Sequence, residues 1–151
     1  MAIDPGNPVV ALCAAGMACD GTREEALLLF ERAWNERQDD YDAAIAAHYL
    51  ARLQPTPLLT LEWNTRAVTH CERVNDERAA ELRPSLYLNL ADSLLAVGRH
   101  EEARAIAERA AESLPALPEN GYRDFLARGI ARLQDKLVGS TASLGISDTD
   151  A

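Results

Sequence analysis

A chain of 151 residues with 48% apolar and 26% charged residues has the balance of one ordinary globular domain, which argues against a disordered or fibrous polymer. A net charge of −9 repels phosphate backbones and so argues against a nucleic-acid partner. No run approaches about 18 consecutive apolar residues, so no membrane span is expected. Aromatics are only 5%, while the strong helix formers Ala, Leu, Arg and Glu dominate and β-branched residues are few. An all-α fold is the expectation. Lys136 is the single lysine among 15 basic residues, an Arg bias read as the mark of a GC-rich, bacterial genome. Cys13, Cys19 and Cys71 form no C-x-x-C pair, and no secretory signal opens the chain, so reduced thiols in a cytoplasmic protein are expected.

The opening "MAIDPGNP" carries two prolines and a glycine, and residues 1–7 read as an irregular lead-in. The small, apolar run Val9 to Cys19 suits a short buried helix, and "DGT" makes a turn. Thr22 followed by Glu25 is a capping-box pattern opening a second helix to about Glu36. Residues 41–53 show helical spacing and are stopped by "QPTP". Thr56 as cap with Pro57 at the first helical position starts a fourth helix to about Val74. A fifth segment runs from Glu77 to Val97 with Pro84 inside it. Either the fourth helix extends into residues 75–83 or, the preferred reading, the fifth starts early with Asp76 as its cap and kinks at the proline. Gly98 ends it, a sixth helix follows, "SLPALPENG" breaks the chain again, and residues 122–137 form a last amphipathic helix. The small, polar stretch 138–151 has little to bury and reads as a disordered tail, leaving 8–137 as the folded domain.

The phrase "GTREEALLLFERA" at 21–33 is echoed by "GRHEEARAIAERA" at 98–110. Aligning Ala26 with Ala103 also brings Gly21 onto Gly98, Ala33 onto Ala110 and Ala14 onto Ala91. A weaker middle copy puts Thr60 and Ala67 at the corresponding places, so that copies begin near Asn7, Tyr41 and Pro84. With small residues late in each first helix (Ala14, Ala91, but His48 in the middle copy) and a turn residue at Gly21, Pro55 and Gly98, the chain resembles the tetratricopeptide repeat. That resemblance implies a right-handed superhelical array of antiparallel helix pairs, about three repeats plus a capping helix, or about seven helices. Small contact residues let helices approach closely, and stacking buries a core no single pair could bury. The middle copy departs from the pattern at His48 and Pro55, has Asn64 where a large apolar residue is usual, and is followed by extra residues near 75–83.

The sequence carries no phosphate-cradling glycine loop, nucleophile elbow or H-E-x-x-H pair. His70 and Cys71 are neighbours and point to different faces of a helix, so no metal or other cofactor is expected. The pairs Glu24–Glu25 and Glu101–Glu102 open helices, where the dipole favours negative charge, and read as structural rather than catalytic. Trp34 and Trp63 are expected to fill space between helix pairs, and His48 to sit in the core or in a groove.

In the resembled family the first helix of each pair lines a concave groove. Carried over, this places Ile45, Tyr49 and Arg52 in the groove from the middle copy, and Leu88, Asn89 and Asp92 from the third. Copy one offers only Ala11, Ala15 and Ala18. The family's terminal-carboxylate clamp would fall on Ala11, Ala15, Ser85 and Asn89, of which Asn89 alone retains the pattern. The expected function is a non-catalytic scaffold module that binds a protein or peptide partner in this groove, with self-association into a homodimer as a way to cover an apolar end. The alternative is a small ligand-binding protein or enzyme using His48, Tyr49, Arg52 and Asp92, recognisable by an enclosed cavity and a shifted His48 pKa.

Overall fold

Helix starts in this chain are written in side chains that satisfy otherwise orphaned backbone N–H groups, and the computed structural model, which describes Asp4 and residues 6–147 with side chains as far as residue 139, forms helices at those places. Asn7 caps α1 (Pro8–Ala18), its Oδ1 accepting from the N–H groups of Val9 and Val10. Thr22 and Glu25 form both halves of the expected capping box at α2 (Arg23–Asn35). Asp39 caps α3 (Asp40–Ala51), and Thr56 with Pro57 opens α4 (Pro57–Glu72). These are followed by α5 (Arg78–Ala96), α6 (His100–Ser113), a short 3-10 turn (Leu114–Ala116) and α7 (Gly121–Ser147). No strand occurs among the described residues.

Of the extra residues after α4, 75–77 belong to the connection and 78–83 to the fifth helix. Its cap position is Glu77 rather than Asp76 and makes no side-chain cap bond, although Asp76 does accept from the Arg78 N–H. The helix passes Pro84 without interruption. Gly98 at φ +83° then ends α5, with the Arg99 N–H reaching Leu94 O and the Gly98 N–H reaching Leu95 O, the paired bonds of a left-handed helix terminus. The two echoed phrases therefore open differently: α2 has a capping box, whereas α6 starts after Arg99, which holds Glu102 through two bonds of 2.7 and 2.6 Å.

The last helix does not stop at Leu137. It continues to Ser147, so the stretch expected as a tail from 138 is helical for most of its length. Residues 138–147 hold no proline, and a helix already nucleated by packed residues gains one hydrogen bond per added residue without a new nucleus. The end of that stretch, 148–151, and residues 1–3 and 5 of the lead-in lie outside the described residues.

Successive helices pack as neighbours, from α1 with α2 through to α6 with α7. In addition α1 touches α3, α3 touches α5 and α5 touches α7, while the even-numbered helices do not meet one another at backbone level among the described residues. The odd helices thus form an inner layer and the even helices an outer one. Outside, the layer is bridged by side chains: Trp34 of α2 and Trp63 of α4 meet edge to face, ring centres 5.1 Å apart, filling space between pairs as expected. Arg37 and Arg66 lie over the two indoles at 4.0 and 4.4 Å.

Inside, α3 sits among α1, α2, α4 and α5. Ten of its twelve residues are buried, and this is tolerable because Ala43, Ala44, Ala46, Ala47 and Ala51 let the neighbours come close. Asp42 is buried near the start of α3. Its Oδ1 accepts from Asn7 Nδ2 at 2.7 Å and its Oδ2 from the Gln38 N–H at 2.9 Å, tying the start of α1 and the α2–α3 connection to one carboxylate.

Ala103 has no exposure, whereas its echo partner Ala26 is partly exposed. Ala103→Leu is expected to lower stability by about 1–3 kcal/mol through overpacking, and Ala26→Leu by less. Urea unfolding of the two variants checks the order; equal, negligible effects would mean that Ala103 is not a close-packed helix contact.

Candidate functional site

The inner layer leaves one large cleft, about 620 Å³ in volume, between the C-terminal turn of α3, the middle of α5 and the first half of α7, with α4 at its floor. From α3 come His48, Tyr49 and Arg52; from α5 come Ser85, Leu88, Asn89, Asp92 and Ser93. The α5 residues recur at helical i, i+3, i+4 spacing and so share one face. Five of the six residues expected to line a groove are brought together here: Tyr49, Arg52, Leu88, Asn89 and Asp92.

Ile45 is the exception. It is 2% exposed, within the core, and does not line the cleft. One turn back along α3 the surrounding helices already close over the chain, so the groove position that the resemblance implied for Ile45 lies at the wrong depth. The first-copy positions Ala11, Ala15 and Ala18 are exposed and take no part in this cleft.

A polar network holds the cleft floor. Asn64 of α4 donates through Nδ2 to Ser93 Oγ at 2.6 Å, and Ser93 Oγ donates to the carbonyl of Asn89 at 2.8 Å. Asn89 Nδ2 lies 3.1 Å from His48 Nδ1. With the amide as donor, Nδ1 is the acceptor and the imidazole proton sits on Nε2. The network joins α3, α4 and α5 at the cleft and satisfies Asn64, which is buried at the position corresponding to Phe30 in the first copy. That irregularity was the signal in the sequence; its partners were not visible there.

His48 is buried, and desolvation, helped by the positive charge of Arg52, pushes its pKa from 6.5 down to about 4. Tyr49 is only half covered. Its ring stands between Phe30, at 5.5 Å, and His48, at 5.0 Å, and burial raises its hydroxyl pKa, keeping it protonated. Arg52 and Asp92, at positions where pairing across the cleft was conceivable, form no ion pair with each other or with any other group among the described residues. Both are exposed, so the cleft opens to solvent.

The contribution of α7 was absent from the sequence reading. Tyr122, Phe125, Leu126, Gly129 and Arg132 form one wall. Gly129 permits this approach, because a Cβ there would stand 3.0 Å from Leu88 Cδ2 of α5. A side chain in its place would require the end of Leu88 to give way.

Other reactive groups are muted. Burial pushes the Cys13 thiol up to about 12 and Cys71 up to about 11, which keeps both as weakly nucleophilic thiols. Among the described residues no group of three or more His, Cys, Asp or Glu side chains is placed to hold a metal ion. Nor is any helix long and apolar enough to cross a membrane. No protein-family model, curated protein or solved structure matches the chain.

The lowered His48 pKa has a defined sign in stability. The unfolded chain takes up a proton near pH 6.5 that the folded chain refuses until about pH 4. The stability from this group is therefore full above pH 6.5 and declines as pH falls toward 4, by up to about 1.4 kcal/mol per pH unit. A ring titration followed by NMR should place His48 well below 6.5. The pH slope of the urea midpoint in that window should flatten in His48→Gln; an ordinary titration near 6.5 would show that the ring is solvated.

Proposed function

We propose that the chain is a non-catalytic interaction module built from tetratricopeptide-like helix pairs, taking a segment of a partner protein or peptide in the cleft between α3, α5 and α7. The observation that supports this best is the layering. Only odd helices meet two positions along the chain, so the first members of successive pairs share one inner face, and the cleft lies on that face. Its lining is mixed, with Tyr49, Leu88 and Phe125 offering apolar surface beside Arg52, Asp92 and Arg132, which suits a peptide with alternating side-chain chemistry.

A second reading draws on the volume, which lies in the range of small-molecule sites, and on the shifted pKa of His48. It would use His48, Tyr49, Arg52 and Asp92 on a small polar ligand or substrate. Two features weigh against catalysis. A histidine titrating near 4 is a weak base at neutral pH, where an effective general base has a pKa close to the working pH. Its Nδ1 is also engaged by Asn89, leaving only a donor for the cleft.

Removal of the Tyr49 ring tests the site. Tyr49→Ala combined with Arg52→Gln should weaken recovery of a partner from native lysate tenfold or more, about 1.4 kcal/mol or above, with helicity intact. Asn89→Ala is a poorer choice, since it strips His48 Nδ1 of its partner and is expected to destabilise the fold by about 1–3 kcal/mol. Glu31→Ala with Arg109→Ala, on exposed positions of the outer layer, should leave recovery unchanged. If the outer pair abolishes recovery and the cleft pair does not, binding belongs to the outer surface and this reading fails.

A further inference from the structure

Half of the 14 arginines in this acidic chain are already spoken for. Arg32, Arg66, Arg78, Arg99, Arg104, Arg109 and Arg123 each have a carboxylate within ion-pair distance. Arg52 and Arg132 have none among the described residues, and both line the same cleft, where Asp92 is the one carboxylate. Two guanidinium groups face one acid on a protein whose net charge is −9, which makes the cleft locally positive on an otherwise negative surface.

The neutral groups at the cleft agree with that sign. His48, 8% exposed, has its Nδ1 occupied by Asn89, so its remaining ring nitrogen is a donor. The Tyr49 hydroxyl remains protonated and can also donate. Both amide N–H groups of Asn64 and one of the two of Asn89 are engaged in the floor network. The charge of Arg52 reaches this floor, because it acts on both His48 and Tyr49. Beside these donors stand the rings of Tyr122 and Phe125, the latter 57% exposed at the cleft wall.

We propose that the cleft selects a peptide segment with an acidic side chain inside its length, held between Arg52 and Arg132, with an apolar or aromatic neighbour on Phe125. This rests on the peptide-binding reading above and adds its specificity. Guanidinium groups pair with carboxylates through charge-assisted, often bidentate bonds, which gives both affinity and orientation. Asp92 sets the limit on charge: a single carboxylate is balanced by two arginines, whereas a phosphoryl group, bearing about −1.5 to −2, meets stronger repulsion from the same acid. A second acidic residue next to the first is disfavoured for the same reason.

The test uses fluorescent hexapeptide pools, acetylated and amidated so that no terminal charge remains, with one central position fixed as Glu, Gln, Lys or phosphoserine and neighbours drawn from Leu, Phe and Ala. Anisotropy titrations of the full chain should show the Glu pool binding at least about tenfold tighter than the Gln pool at low salt. That gap should narrow as salt screens the charges. Arg52→Gln and Arg132→Gln should each shrink the gap, Arg52→Lys should retain part of it, and Asp92→Asn should improve binding of a pool with two adjacent Glu residues. Circular dichroism of each variant verifies that these exposed substitutions leave the fold intact.

Equal binding of Glu and Gln pools overturns the inference, as does preference for Lys or for phosphoserine. If both pools bind equally and Tyr49→Ala abolishes both, the acidic selectivity is wrong while the peptide-binding reading stands. If no pool binds, the inference fails, and the lysate experiment with the cleft and outer-layer variants decides the broader reading by itself.

Discussion

The alanines of α3 let four other helices approach it closely, and the rest of the array is arranged around that burial. A helix covered on nearly every side must give up side-chain volume or hold its neighbours apart, and this one gives up volume. Dense contact of small residues also leaves no room for unsatisfied polar groups, so the two buried polar side chains of α3 are both engaged. Asp42 near its start gathers Asn7 and the Gln38 amide, and His48 near its end meets Asn89. The helix is pinned at one end to α1 and at the other to α5.

The cleft follows from the same packing. Where α3 is wholly enclosed, as at Ile45, there is only core; where its last turn emerges between α5 and α7, the inner surface opens. The polar groups exposed there are therefore held by a rigid base: Tyr49 leans on Phe30, and Asn64, Ser93 and Asn89 bond the floor across helices. A site supported this way keeps its geometry without a ligand, which reduces the ordering that binding must impose. By contrast the charged rim, Arg52, Asp92 and Arg132, is exposed and free to adapt.

Local chemistry was legible wherever the determinant lay within a few residues. The capping box of Thr22 and Glu25, the Thr56–Pro57 start and the Gly98 stop each depend on neighbours in sequence, and each forms in place. That Leu88, Asn89 and Asp92 share a face of α5 was legible for the same reason, by helical period, whereas that this face lines a groove was only what the resemblance to the tetratricopeptide repeat implied. Period gives direction around a helix but not the depth of cover, and Ile45 fell on the wrong side of that distinction. The extent of α7 was misjudged because composition measures how little 138–147 can bury, not whether a helix begun earlier can continue through it.

By itself, then, the chain's sequence determined an all-helical protein, the starts and stops of most of its helices, and which residues share a face of each. These are consequences of short-range hydrogen bonding, backbone preference and the 3.6-residue period of the α-helix. Only the tertiary structure decided that α7 would wall the cleft with Arg132 and Phe125, that Gly129 would admit it against Leu88, and that Asn64, Ser93, Asn89 and His48 would bond in series. Those contacts join residues tens of positions apart, and their strength depends on distances and burial that exist only once the helices have packed.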